Sequence, residues 1–345
     1  MLSETSIKTR ILTKVWQKRI ILNKINAMIV LIYGSGAVGL GLASCLLKAG
    51  IEVDLIDKKE EIVLSLCEHG LHRTGIFGDF RADPTGFHSH TSLRALSNKK
   101  YDYILVCTKS FDSYAAAKDL VEHKNLLGHD GRVVLCQNGW GNAEIFKTFF
   151  EQERVYNARI ITGFQKPNEH TVVITVHADA IRIGSLFDVD SSCMESLCRS
   201  ISKGGVPCYV TTEVGKYLWA KMLYNCALNP LGALLDVPYG VLAEYEYTRT
   251  IMNHIVEEVF SAMTSAGYET HFQTAEAFLD VFYSRLVPDT AQHRSSMLQD
   301  IKAGKKTEID ALNGAVIELA KMHGIDVPYN SVAYNLVKFL EGRNY

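Results

Sequence analysis

The chain has no apolar stretch long enough to cross a bilayer, no Cys-x-x-Cys pair, no internal repeat and no low-complexity linker. Each absence removes a class of protein. Without a run of roughly 20 apolar residues, a membrane-spanning helix is not expected. Without paired cysteines, neither a zinc site nor a disulfide framework is expected. The eight cysteines (45, 67, 107, 136, 193, 198, 208 and 226) read as reduced thiols of a cytoplasmic protein. Cys107 and Cys136 sit inside apolar runs, where a thiol behaves as a small hydrophobe. The twelve histidines show no ligand spacing, so no metal is expected. A formal net charge of -2 offers no broad surface for nucleic acid or membrane.

What is present fits a two-domain globular protein. A length of 345 residues exceeds one ordinary core. The hydrophobic share of 47% and the charged share of 21% are ordinary, which excludes wholesale disorder. Residues 1–27 form an extension carrying Lys8, Arg10, Lys14, Lys18, Arg19 and Lys24 between apolar residues. It lacks the continuous apolar centre of a secretory signal. A basic amphipathic helix is one reading. A natural start at Met28, ahead of the first strand, is the favoured one.

From Met28 to Tyr33 an apolar run predicts a strand, and Leu40, Ala43, Leu46 and Leu47 then repeat at helical spacing. Strands follow at Ile51–Ile56, Tyr103–Cys107 and Val133–Cys136, with a helix near Ala115–His123. Alternating strand and helix predicts a Rossmann-type, doubly wound α/β sheet. Between Thr171 and Ile183 the alternation predicts appended antiparallel strands. From Glu213 onward the pattern is helical, with helices expected at 213–229, 247–266, 272–286, 291–303 and 307–323. The expected domains are 28–212, binding a dinucleotide, and 213–345, all-helical.

The turn Gly34-Ser35-Gly36-Ala37-Val38-Gly39 carries the first chemical signal. It follows a strand, opens a helix, and has the acidic Asp57 18 positions beyond its last glycine. Gly34 permits the tight turn, Gly36 lets a pyrophosphate approach the backbone, and Gly39 lets helix and strand pack closely. The helix N-terminus favours the phosphate charge. Asp57 can accept from ribose hydroxyls and repels a 2′-phosphate, which favours NAD(H). Lys58 and Lys59 could offset it, so the choice stays open.

The second signal is a polar stripe. Lys221, Asn225 and Asn229 are spaced by four and share one face of a helix whose other residues are largely apolar. Buried amides need partners, and a polar ligand would supply them. A solvated face with ordinary lysine and asparagine is the alternative. A third cluster runs Ser295-Ser296-Met297-Leu298-Gln299-Asp300, then Thr307-Glu308-Ile309-Asp310. Taken alone, Glu308 reads as a first-turn carboxylate meeting the dipole of a helix that begins near Thr307.

Together these motifs, with Cys107-Thr108-Lys109, Gln137-Asn138-Gly139 and Asn229-Pro230, resemble the ketopantoate reductase (2-dehydropantoate 2-reductase) family from Met28 to about Lys338. The resemblance implies NAD(P)H-dependent reduction of 2-dehydropantoate to pantoate, toward pantothenate and coenzyme A, in a cleft between a Rossmann domain and a helical domain. It implies Lys221 as the catalytic lysine. It implies substrate contacts from Asn225, Asn229, Ser296, Met297, Leu298, Gln299 and Asn138. Cofactor contacts are implied for Lys109, Asn138 and Glu308, besides Gly34–Gly39 and Asp57. Glu308 would orient the Lys221 ammonium or bind the substrate hydroxyl. NADP(H) is the family's default, with NAD(H) allowed by Asp57. The expected partner is a small 2-oxo acid, and a homodimer is allowed but not required. Two positions depart from the pattern. Tyr239 stands where some members carry a further substrate-binding asparagine, and Asp57 where some carry a basic residue. Another 2-oxo acid, or a non-catalytic dinucleotide sensor, are the alternatives.

Overall fold

A computed structural model describes residues 28–96 and 99–343; the expectation for the N-terminal extension lies outside them. The strands are β1 (Ile29–Tyr33), β2 (Glu52–Ile56), β3 (Leu71–Gly75), β4 (Phe80–Ala82), β5 (His88–His90), β6 (Tyr101–Val106), β7 (Leu127–Leu135), β8 (Val155–Arg159), β9 (Thr162–Asn168), β10 (Thr171–His177), β11 (Ile181–Gly184) and β12 (Cys208–Val210). Eight of them form one sheet in the order β12-β11-β8-β7-β6-β1-β2-β5. All pairings from β8 to β5 are parallel, and β11 joins antiparallel to β8. Val30, Leu31, Ile32, Val53, Leu105, Val133 and Val134 are buried on both faces, as a covered parallel sheet requires. After β1 the chain builds outward on the β2 side, then returns to β6 on the other side. The C-terminal ends of β1 and β6 therefore flank the point where strand order reverses, where open α/β sheets bind ligands.

The expectation of appended antiparallel strands between 171 and 183 is half met. Strand β11 does extend the main sheet. Strand β10 belongs instead to a separate four-stranded sheet ordered β4-β3-β10-β9, pairing parallel with β3 and antiparallel with β9. Strands β3 and β4 carry no alternation long enough to announce themselves, which is why the second sheet was not anticipated.

The described helices are α1 (Ala37–Lys48), α2 (Glu60–His69), α3 (Ser113–Glu122), α4 (Asn142–Phe146), α5 (Glu195–Lys203), α6 (Val214–Leu235), α7 (Tyr239–Glu244), α8 (Glu246–Ser265), α9 (Ala275–Val281), α10 (Val287–Asp289), α11 (Ser296–Lys302), α12 (Asn313–Met322) and α13 (Pro328–Arg343). Beyond Val214 every regular element described is helical. Met252, Ile255, Val256, Val259 and Met263 form the apolar stripe of α8 and pack with α6 and α13 in one core.

Helix α6 runs one and a half turns past its expected end. Pro230 lacks an N–H and so leaves the Cys226 carbonyl without its helical donor. The Asn313 side chain donates to that carbonyl at 3.1 Å, which lets the helix continue. Two other expectations need correction. The helix expected at 272–286 starts at Ala275, carries a π-turn at Phe282–Leu286 and continues without a break to Asp289. The helix expected from Thr307 starts only at Asn313. Thr307 is pinned by the Glu341 carboxylate, which accepts from its N–H at 2.7 Å and its hydroxyl at 2.6 Å, and a 3-10 turn at Ile309–Ala311 follows.

Candidate active site

The glycine turn has the geometry that a bound pyrophosphate needs. Gly34 adopts φ +106°, and a Cβ there would lie 2.9 Å from the Thr108 backbone nitrogen. A Cβ on Gly39 would lie 2.0 Å from the Gly34 carbonyl, so only glycine lets α1 approach β1 this closely. Gly36 is different: a Cβ there meets no heavy atom within 4 Å. The space above it is open. No side chain caps α1, and no acidic residue stands in its first turn. The Ser35 hydroxyl is buried without a partner. These residues fit a dinucleotide phosphate at a helix N-terminus.

Asp57 lies beside the turn. Its Oδ2 accepts from the Ser35 N–H at 2.8 Å and its Oδ1 from the Lys59 N–H at 3.0 Å. The two lysines that could offset it face other carboxylates, with Lys58 3.5 Å from Asp112 and Lys59 3.9 Å from Glu61.

Across the cleft, the loop after β7 meets the turn before α12. The Trp140 N–H donates to the Ala311 carbonyl at 2.8 Å, and Trp140 packs on Trp219 of α6 with ring centres 4.5 Å apart. Gly139, at φ +86°, has no room for a Cβ against Ala311. Gln137 fixes the base of this loop by donating to Thr108, the Lys109 carbonyl and Ser113. Asn138 is thereby held between the two halves of the molecule.

Asn138 joins two charged groups. Its Oδ1 accepts from Lys221 Nζ at 2.6 Å, and its Nδ2 donates to Glu308 Oε2 at 3.0 Å. Lys221 Nζ also donates to the Ile160 carbonyl at 2.5 Å. An ammonium has three N–H donors, and among the described residues the third has no partner. Burial, then the charge of Arg159, push the Lys221 proton affinity down to about 8, against the pull of Glu308.

Glu308 is not a first-turn residue of a core helix. Its Oε1 accepts from the Ser110 N–H at 3.0 Å, at the start of the turn leading into α3, and Lys109 Nζ lies 3.7 Å from Oε2. Its carboxylate thus serves the other half of the chain. Nor does it touch Lys221 directly, since Asn138 stands between them. Lys109 is held by Asp300 at 2.7 Å. The carboxylates of Glu308 and Asp300 raise its proton affinity although burial opposes them. At Asp300 burial wins, and its carboxyl is pushed up despite Lys109.

The other expected residues divide. Asn225 is buried and makes no side-chain hydrogen bond among the described residues. Asn229 is also buried, and its Oδ1 accepts from the Tyr239 hydroxyl. Ser296 is exposed at the first turn of α11, where Ser295 is the cap, accepting from the Leu298 N–H at 3.0 Å. Met297 and Leu298, expected at the substrate, point their side chains into the helical core. Gln299 lines an open cavity of about 790 Å³ between the β9–β10 hairpin and residues 288–294. Lys221 does not line that cavity.

Sequence reasoning missed Arg159 entirely. It ends β8 in a run with no motif around it, and only the fold brings it to Lys221. The Ile160 carbonyl carries no sequence signal either. Asp300 stood inside a quoted motif, but its pairing with Lys109, 191 positions earlier, is a tertiary fact.

A Rossmann sheet, a glycine turn open to phosphate and a lysine at the seam with a helical domain define a dinucleotide-dependent oxidoreductase architecture. The family description "Ketopantoate reductase PanE/ApbA" matches residues 30–187, and its C-terminal counterpart matches residues 213–341. The 2-dehydropantoate 2-reductase of Aquifex aeolicus (strain VF5) is 34% identical over 90% of this chain and 96% of its own length. The chain belongs to the ketopantoate reductase family. A solved ketopantoate reductase from Ralstonia eutropha JMP134 superposes with a TM-score of 0.79 at 29% identity, covering 92% of this chain and 99% of that one. A D-mandelate dehydrogenase solved with NADH and anilino(oxo)acetate shares the fold, with a TM-score of 0.83 at 24% identity over 92% of this chain and 99% of its own.

Proposed function

We propose that this chain reduces 2-dehydropantoate to pantoate, using a nicotinamide dinucleotide, in the cytoplasm. The observation that carries this reading is Lys221. It is a partly buried ammonium fixed by Asn138 and the Ile160 carbonyl, with one N–H uncommitted and a proton affinity lowered to about 8. The dinucleotide supplies the hydride when bound. Gly34, Gly36 and Gly39 bring the backbone close to its phosphates, and Ser35 offers a free hydroxyl there. Lys221 hands the proton from Nζ to the substrate's ketone oxygen as that oxygen becomes a hydroxyl. A lysine near 8 is suited to this at neutral pH, because it is mostly protonated yet releases readily. Asn225 and Ser296 hold the substrate's polar groups, and Asn138 keeps Lys221 aimed. Glu308 acts through Asn138, orienting it and damping the tendency of Lys221 to lose its proton.

NADH is the cofactor that Asp57 favours. Its carboxylate is anchored by two backbone amides where a ribose would lie, and the adjacent lysines face Asp112 and Glu61. The test is consumption of NADH and of NADPH with 2-dehydropantoate, side by side. Turnover of 2-dehydropantoate with the higher kcat/KM for NADH is expected. Dinucleotide binding without consumption on any 2-oxo acid would make the chain a sensor and sink the proposal.

One observation favours a second reading. The Tyr239 hydroxyl donates to the Asn229 side-chain oxygen, which leaves that amide's N–H groups rather than its oxygen to meet a substrate. A different 2-oxo acid then becomes the preferred substrate. The same assay, run across a panel of 2-oxo acids, decides between them by kcat/KM.

A further inference from the structure

Lys221 is not the only cation at its end of α6. Arg159 is 4% exposed, and its Nη2 donates to Asp179 Oδ2 at 2.6 Å. Its guanidinium lies 4.8 Å from the ring centre of Tyr217, one helical turn before Lys221 on the same face. Arg182 approaches the same ring at 5.3 Å and the same carboxylate at 3.8 Å. Two guanidinium groups therefore share one carboxylate. The Nε and Nη1 of Arg159 are buried with no acceptor at all. Such orphan donors are costly, and a cation needed only to tether Asp179 would not have to bury them. The residue after Arg159, Ile160, supplies the carbonyl that holds Lys221 Nζ. Charge and backbone from one strand end thus converge on the same ammonium.

We propose that Arg159 is a positioning residue for the reaction. Its guanidinium, fixed by Asp179 and the Tyr217 ring, sets how readily Lys221 releases its proton. The role presupposes Lys221 as the proton donor. Lys221 faces Arg159 and Tyr217 at its base, with Arg182 and Asp179 behind them. On its other side stands Asn138, with Glu308, Lys109 and Asp300 beyond. His177 and His271 flank the arginines, and burial lowers the proton affinity of both, so neither adds charge near pH 8. The nearest charges at the base of α6, Arg159 and Arg182 against Asp179, are net positive and disfavour a further cation, while Lys216 beyond them is paired with Glu213 and Glu269. The Arg159 charge acts on Lys221 in that sense, second only to burial.

The test is the pH dependence of kcat/KM for 2-dehydropantoate with NADH, with NADPH in parallel. Reduction needs the Lys221 ammonium, so the rate falls as pH rises through its titration. Arg159→Gln removes the repulsion, and the alkaline limb should move up by about one pH unit. Arg159→Lys keeps the charge and should restore the original limb. Asp179→Asn removes the offsetting anion at a half-exposed position and should move the limb down. Opposite shifts from these two variants cannot come from general loosening of the fold, and Asp179→Asn alone serves if Arg159→Gln does not fold. A limb that stays in place in the folded variants, or moves the same way in both, overturns the proposal. Lys221→Ala, run alongside, separates the two ideas: if it turns over normally, the proton-donor reading itself has failed.

Discussion

Two lysines stand at opposite ends of one polar chain, Lys109 in ion contact with Glu308 and Lys221 bonded to Asn138, and their surroundings drive them in opposite directions. Lys109, after β6, meets the carboxylates of Asp300 and Glu308 and binds its proton more tightly than a free lysine. Lys221, on α6, meets an amide, a carbonyl and a nearby guanidinium, and binds its proton less tightly, near 8. Burial opposes the charge of both. The difference lies in whether an anion is close enough to outweigh it. One region is therefore built to hold a fixed positive charge and to tie the two halves of the chain together. The other, in the mechanism proposed above, gives a proton away. Glu308 touches the first directly and reaches the second only through Asn138, so it is the residue that couples them.

The largest effect expected from breaking this contrast is at Lys221. Lys221→Ala should reduce kcat by roughly 10³-fold, the ordinary range for a positioned acid. Dinucleotide affinity, read by fluorescence titration, should stay within a few-fold, since the glycine turn is untouched. Turnover near that of the unchanged chain would remove Lys221 from the mechanism. Glu308→Gln comes next. It frees Asn138 to rotate and strips one anion from Lys109, and misplaced catalytic geometry costs about 10²-fold. Because Glu308 supports the charged form of Lys221, its loss should also move the alkaline limb of reduction to lower pH. A limb that stays in place would show that Glu308 does not reach Lys221 electrostatically. Asp57→Ser is smaller, with a swing of about tenfold in kcat/KM from NADH toward NADPH, or about 1.4 kcal/mol. An unchanged ratio would mean that Asp57 serves only to brace the glycine turn.

The two regions also differ in how plainly the sequence announces them. The Gly34–Gly39 turn was readable because its steric demands are local: three glycines, a strand before and a helix after. Lys221, Asn225 and Asn229 could be placed on one face because helical spacing is local too. The resemblance to a known family then supplied roles that spacing could not. What escaped notice is tertiary. The bond from the Tyr239 hydroxyl to Asn229 has no signal in the sequence, and Glu308 looked like a helix cap until its partners proved to be Ser110 and Asn138. Met297 and Leu298 share a helix with Ser296, yet the turn of that helix carries them into the core. The helical pattern placed the end of α6 at residue 229, and only the Asn313 side chain, more than 80 residues away in sequence, explains why the helix continues through Pro230. Strands of three residues, such as β4, β5 and β12, leave too short a pattern to detect.

The finest test of the contrast is Asp300→Asn. Asp300 bonds Lys109 at 2.7 Å and is the carboxylate of the pair whose own acidity burial has already weakened. Replacing it with the isosteric amide keeps an acceptor for the Lys109 ammonium but removes the charge, while Glu308 remains 3.7 Å away. A partly exposed ion pair contributes about 1 kcal/mol at most. The expected change is therefore only a few-fold, in KM for substrate or cofactor, with kcat nearly kept. The alkaline limb of the pH profile should move far less than in Glu308→Gln, because Asp300 is separated from Lys221 by Lys109, Glu308 and Asn138. If Asp300→Asn shifts that limb as far as Glu308→Gln does, the two lysines titrate as one coupled system. The division into a fixed charge and a proton donor would then be wrong.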